Sequence, residues 1–257
     1  MAYIDTHAHL YLENFDEDRK EVMQRAINEG VEKIFLPNID GTTLPAVEKM
    51  VKDYPDTCYP MIGIHPCDVR ADWEEQLTEI RSLYKKDFHV AIGEIGIDLY
   101  WDKTLKKEQI LSFTEQIRWA KAEGLPIVIH SRDSFDEIFE VMDKENDTSL
   151  FGIFHCFTGT IEQAHQIIDY GGFKLGIGGV VTFKNSHLDE VIKDIDLCHL
   201  VLETDAPFLT PAPFRGKRNE SSYIPLVAKK LSSIFGIDEN EIGRITTQNA
   251  LEVFKIK

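Results

Sequence analysis

The sequence has no Cys-x-x-Cys pair, no apolar run approaching a membrane span, no low-complexity tract and no excess of basic residues. Each absence removes a class of protein. The four cysteines, Cys58, Cys67, Cys156 and Cys198, are dispersed, which argues against a disulfide framework and a thiolate zinc site and predicts reduced, mostly structural thiols. Cys156 is expected on the strand face opposite His155, a poor place for a nucleophile. The chain runs from Met1 straight into the apolar strand Ala2-Tyr3-Ile4-Asp5, with no basic or apolar leader, so a cytoplasmic protein without membrane contact is expected. Without a Pro-, Gly- or Ser-rich linker, one domain over residues 1–257 is the economical reading. Lys and Arg number 28 against 44 Asp and Glu, a formal net charge of −16, which argues against a surface that grips nucleic acid by broad counterion release. A phosphate substrate stays open, because bound divalent ions reverse the sign of the field inside an acidic pocket.

What is present is a regular beat of apolar strands and amphipathic helices. Strands are predicted over 2–9, 31–37, 58–64, 89–94, 126–130, 152–156, 173–178 and 200–205. Helical spacing fills about 16–29, 43–53, 73–84, 105–122, 134–142, 161–169, 188–195, 222–235 and 239–254. Gly30 and Gly124 serve as stops, and Asp133 or Ser134 as a cap. Eight strands alternating with helices predict a closed parallel (β/α)8 TIM barrel, a fold whose chemistry sits at the C-terminal ends of the strands.

Five of those strands end in side chains that bind metals. His7 and His9 alternate onto one face of the first strand, and Glu94, His130, His155 and Asp205 close four others. Imidazole nitrogen and carboxylate oxygen without thiolate point to Zn²⁺, Mn²⁺ or Mg²⁺. Six ligands exceed one tetrahedral ion and suit two ions about 3.5–4 Å apart. Glu94, on the middle strand of the set and with two oxygens to divide, is the natural bridge. His7, His9 and Asp205 then fall to one ion, and His130 and His155 to the other.

Together with these residues, the stretches Asp5-Thr6-His7-Ala8-His9, Gly63-Ile64-His65-Pro66, Gly93-Glu94-Ile95-Gly96-Ile97-Asp98, His130-Ser131-Arg132, His155-Cys156-Phe157-Thr158-Gly159, Glu203-Thr204-Asp205-Ala206-Pro207 and Arg215-Gly216-Lys217-Arg218-Asn219 closely resemble the TatD-type metal-dependent deoxyribonucleases of the amidohydrolase superfamily. The resemblance covers essentially the whole chain. It implies that His7, His9, Glu94, His130, His155 and Asp205 hold two divalent ions, with Glu94 standing where related amidohydrolases commonly place a modified lysine, and that DNA or another phosphodiester is the substrate. Thr158, where serine is also common, and Phe208, where another aromatic is common, are the departures. Neither is a proposed ligand.

The expected chemistry is hydrolysis by a hydroxide bridging two metals, with Glu94 and Asp205 as catalytic residues and Asp205 as general base. Arg132, Arg215 and Arg218 are candidates for phosphate contact. Glu203, two residues before Asp205, and His65, at the end of the third strand, are expected behind or beside the ligands, orienting a histidine or donating to phosphate. Asp98 and Tyr100 either line the mouth or belong to a solvated loop. The DNA would be attacked from an end, and no stable protein partner is expected. Hydrolysis of a small amide, lactone or phosphoester on the same metals is the alternative. A non-catalytic interaction protein on the same barrel would show a broken ligand position, and none is broken.

Overall fold

The computed structural model describes residues 2–256, so residues 1 and 257 of the expected 1–257 span lie outside the described residues. Eight parallel strands follow one another around a sheet in chain order: β1 (Tyr3–Asp5), β2 (Val31–Leu36), β3 (Cys58–Ile62), β4 (Ala91–Asp98), β5 (Ile127–Arg132), β6 (Gly152–Phe154), β7 (Phe173–Ile177) and β8 (Leu200–Leu202). Between and after them run α1 (Arg19–Asn28), α2 (Leu44–Asp53), α3 (Trp73–Ser82), α4 (Lys106–Glu123), α5 (Phe135–Glu145), α6 (Ile161–Asp169), α7 (Leu188–Ile192), α8 (Ile224–Phe235) and α9 (Glu239–Phe254). The order is that of a (β/α)8 barrel.

The barrel closes where β1 meets β8. Thr6 N–H donates to Leu202 O at 3.0 Å, Asp205 N–H to His7 O at 2.9 Å and His9 N–H to Ala206 O at 2.7 Å, with Ala8 and Ala206 bridged in parallel. Asp5 ties the same seam from below, accepting from Thr204 N (2.9 Å), Thr204 Oγ1 (2.6 Å) and Ser221 Oγ (2.6 Å).

Ile4, Phe35, Met61, Ala91, Val128, Ile153 and Val201, one from each of seven strands, form a cluster of their own. This is the filled interior of the barrel. It is plugged by α9, whose Val253 and Phe254 join the cluster, the Phe254 ring stacking on Phe35 at 3.6 Å. Asn249 of α9 donates to Leu197 O and Leu200 O, both at 2.7 Å, at the start of β8. The helix therefore covers the N-terminal end and leaves the C-terminal end open.

Several boundaries differ from those the sequence suggests. β4 does not stop at Glu94 but runs on to Asp98, where it pairs with Arg132 of β5, so Ile95-Gly96-Ile97-Asp98 is strand and not loop. Gly96 makes that pairing possible: with φ of +144° it lies so close to β5 that an added Cβ would stand 2.0 Å from His130 O. β1, β6 and β8 are only three residues long, because the chain leaves the ladder as soon as it reaches the rim. The ligand residues His7, His9, His155 and Asp205 thus follow their strands. Ser134 precedes α5 without capping it; its hydroxyl donates to Ile97 O at 2.5 Å, and Asp133 takes up a φ of 53°. No helix among the described residues is long and apolar enough to cross a membrane.

Candidate metal centre

At the open end of the barrel lies a cavity of about 660 Å³ that holds His9, His65, Glu94, Asp98, His130, His155 and Asp205. Glu94 is its centre, 2% exposed. One carboxylate oxygen, Oε2, faces His7 Nε2 at 3.1 Å and His9 Nε2 at 3.6 Å. The other, Oε1, faces His130 Nδ1 at 2.8 Å, His155 Nε2 at 3.4 Å and His65 Nε2 at 3.5 Å. Asp205 closes the first group, its Oδ1 being 3.6 Å from His9 Nε2 and 3.9 Å from His7 Nε2. The six residues named from the sequence as ligands therefore meet at one point, although they lie as far apart in the chain as His7 and Asp205.

The division into two groups is less sharp than the sequence suggests. His155 lies near Glu94 Oε1, yet its ring also stacks on His7 at 3.6 Å, and its ligand atom falls together with those of His7 and Asp205. Both arrangements keep Glu94 in the middle.

Protonation follows from burial and neighbours. Burial drives His9 down to about 4 and His7 well below its ordinary value, so both imidazoles are neutral, with their Nε2 atoms 3.2 Å apart and aimed at the same space. Burial works against the Glu94 carboxylate, but the surrounding imidazoles outweigh it and hold it well below the usual carboxylate range. Burial also opposes charge on His155, where Glu203 and Glu94 overcome it and lift the ring to about 10. Asp205 is pushed up to about 7, chiefly by burial. The neutral imidazoles of His7 and His9, converging on a carboxylate that stays ionised, are donors a divalent cation takes; His155 would give up its proton to join them, and the residues present fit such an ion.

Further groups fix the rings from behind. His9 Nδ1 contacts Tyr11 Oη at 3.0 Å and His130 Nε2 contacts Asp98 Oδ2 at 2.9 Å. Glu203 Oε1 stands 3.1 Å from His155 Nδ1, outside hydrogen-bond geometry, and accepts from Cys156 N–H at 2.7 Å. Gly176 makes room for this carboxylate, since a Cβ there would meet Glu203 Oε2 at 2.1 Å. His65 differs from the other histidines. Its Nδ1 accepts from Cys67 N–H at 3.1 Å, so in the neutral ring the proton sits on Nε2, and His65 presents a donor to the cavity.

Cys156 and Asp205 carry φ of 47° and 56°, a left-handed conformation that costs a non-glycine residue about 1–2 kcal/mol. The hydrogen bonds of their amides to Glu203 Oε1 and His7 O hold them there. The turn also overturns the expectation for Cys156. Having left β6 after Phe154, the chain no longer alternates, and Cys156 lines the cavity instead of facing away.

The arginines separate. Arg132, the last residue of β5, is exposed and lines the cavity. Arg215 and Arg218 do not line it. Arg215 donates to Thr210 O at 3.0 Å and lies over Phe183 at 3.6 Å, while Arg218 pairs with Asp18 at 2.7 Å and covers Phe15 at 4.5 Å. A loop bracketed by glycine and proline gives Arg215 and Arg218 no predictable direction, so the sequence alone could not show that they turn away from the cavity. Asp98 and Tyr11 are the supporting residues that sequence reading did not assign. Period two from Glu94 through Gly96 to Asp98 was the available signal, obscured by reading the segment as loop.

Comparison with known proteins gives a consistent answer. The model of the family described as TatD related DNase matches residues 4–255. The metal-dependent hydrolase YabD of Bacillus subtilis is 44% identical over 253 residues, 98% of each chain. The 3'-5' ssDNA/RNA exonuclease TatD of Pectobacterium carotovorum is 29% identical over 259 residues, covering 98% of this chain and 99% of its own. Among solved structures, YjjV, a TatD homologue from Escherichia coli, superposes with a TM-score of 0.90 at 29% identity, covering 99% of this chain and 98% of that one.

Proposed function

The chain belongs to the TatD related DNase family, and on that premise we propose that it is a metal-dependent phosphodiesterase that removes nucleotides from an end of DNA with two divalent ions, Zn²⁺, Mg²⁺ or Mn²⁺. The observation that carries this reading is the division of the Glu94 carboxylate, Oε2 toward His7 and His9 and Oε1 toward His130 and His155. When bound, two such cations lower the pKa of a water toward 7 and neutralise the charge that develops on phosphate oxygens.

The protein's own groups supply the remainder. His7, His9 and Asp205 would hold one ion, His130 and His155 the other, and Glu94 would serve both. Asp205 Oδ1 is turned toward His7 and His9, which leaves Oδ2 to take the proton of the attacking water as general base. Glu203 and Asp98 keep His155 and His130 in register. His65 Nε2–H and the Arg132 guanidinium are the donors available to the non-bridging phosphate oxygens. A phosphodiester has two non-bridging oxygens to take both donors, where an amide or lactone has a single carbonyl oxygen, which favours the phosphodiester.

The test is release of nucleotides from single-stranded DNA by metal-reconstituted protein, with Glu94→Ala and Asp205→Ala as controls. Wild type is expected to digest the strand, and each variant to lose at least about 100-fold in rate. Equal rates for all three proteins would refute the two-ion reading.

A further inference from the structure

Among the described residues, the exposed phenylalanine, tyrosine and tryptophan side chains are three: Tyr100 at 53%, Trp101 at 70% and Phe208 at 51% exposure. All other aromatic rings of those types are at least partly buried. Trp101 and Phe208 line the cavity that contains Glu94, and Tyr100 packs edge-on against Trp101 at 5.0 Å. Leaving such a ring in water forgoes the favourable free energy of burying it, and among the described residues the fold does so only at and beside the cavity that holds Glu94, which keeps those faces free for a ligand.

From this placement we propose that Trp101 and Phe208 are stacking surfaces for the unpaired nucleobases on either side of the scissile phosphate; the proposal rests on the phosphodiesterase reading above. The rings sit on opposite sides of the mouth, Trp101 beyond β4 and Phe208 beyond β8, fourth and eighth of eight strands in order. A strand that lays its phosphate over Glu94 therefore passes one ring before the site and the other after it.

Both surfaces are preorganised by the metal-binding segments themselves. The amides of Tyr100 and Trp101 donate to Asp98 Oδ1 at 2.9 and 3.3 Å, the carboxylate whose other oxygen holds His130. The Arg132 guanidinium lies 3.8 Å from the Tyr100 ring centre and 5.2 Å from that of Trp101, which keeps a cation beside the platform. The Phe208 amide donates to Asp205 O at 2.8 Å and its carbonyl accepts from Asn219 Nδ2 at 2.7 Å.

Charge explains why such a device is needed. With a net charge of −16, the chain has little counterion-release affinity to spend on a backbone, whereas stacking is indifferent to net charge and to base identity. A flat apolar face can be taken only by a base whose own face is free. The substrate class is thus single-stranded nucleic acid or a frayed end, with weak sequence preference.

The experiment is a binding measurement that does not depend on turnover. Metal-loaded protein is titrated with a short oligothymidylate carrying phosphorothioate linkages, and with the same strand made abasic, while tryptophan emission is followed. The chain has three tryptophans, of which Trp73 and Trp119 are at least partly buried, so Trp101 reports the contact. Wild type is expected to show saturable quenching and to bind the abasic strand about 10-fold more weakly. Followed by anisotropy of labelled strand, Trp101→Ala and Phe208→Ala should lose most of that preference, and Trp101→Phe should restore it. Wild type indifferent to base removal, or alanine variants that keep the full preference, would overturn the stacking proposal and leave the nuclease reading intact. Saturable quenching by the ordinary phosphodiester strand with no nucleotide released from it would refute the nuclease reading alone.

Discussion

Asp98 binds His130 through one oxygen and the amides of Tyr100 and Trp101 through the other. Burial works against its charge, but His130 and the two amides hold it down to about 2, so it is anionic at any working pH and fixes which nitrogen His130 turns toward Glu94. Asp98→Asn keeps the shape and removes that bias. Metal affinity, read by titration with a chelator-buffered ion, is expected to fall about 10- to 100-fold, with the protein still folded; unchanged affinity would reduce Asp98 to a loop anchor. His89 teaches a separate lesson. It lies 2% exposed beside Tyr84 and Phe88, its Nδ1 accepting from Lys85 N–H at 3.0 Å, and burial lowers it to about 4. A depressed pKa stabilises the fold above the ordinary value near 6.5 and stops doing so as pH falls toward 4, a loss of at most roughly 3 kcal/mol. His89→Gln should be less stable near neutral pH but decline less steeply between those limits, as denaturant melts across pH would reveal.

Elements show what tertiary contact adds to local pattern. The extents of α6 and α9 were legible from helical spacing alone, and the structure adds what starts each one: Thr160 accepting from Gln163 N–H at 3.3 Å and Asp238 accepting from Asn240 N–H at 2.8 Å. β4 was not legible. Its second half, Ile95-Gly96-Ile97-Asp98, has the glycine of a loop, and only the close approach of β5 reveals why strand needs glycine there. Nor could periodicity show that α9 is a plug, since an amphipathic helix has the same pattern whether it lies on the side of a barrel or across its end. Phe254, 4% exposed, carries that role. Phe254→Ala is expected to cost about 3–5 kcal/mol in unfolding free energy while metal stoichiometry, set at the other end of the barrel, stays the same. A loss of bound metal in the folded variant would show that the two ends are coupled.

The molecule as a whole was the most legible level. Each strand pairs with its sequence neighbour, so counting strands already orders the barrel, and the rule that ligands gather at one end then groups residues far apart in sequence. Side-chain direction after the strands was beyond that reasoning, as Cys156, Arg215 and Arg218 show. The global charge makes its own prediction. With Arg132 as the arginine at the cavity and −16 overall, the logarithm of strand affinity should fall with the logarithm of salt concentration at a slope of only about −1 to −2, where about 0.7 is expected per phosphate contacted on a single strand. A slope near −5 would expose a basic track elsewhere on the surface.

The join between β1 and β8 has one more consequence. His7 and His9 lie at the first strand and Asp205 just beyond the last, so the proposed ligand set stays one residue short until β8 docks, and bound cations would act as a clasp that fastens a finished hoop. Stripping them with a chelator should quicken hydrogen exchange at the Thr6, His9 and Asp205 amides while leaving the amides of α9 as protected as before.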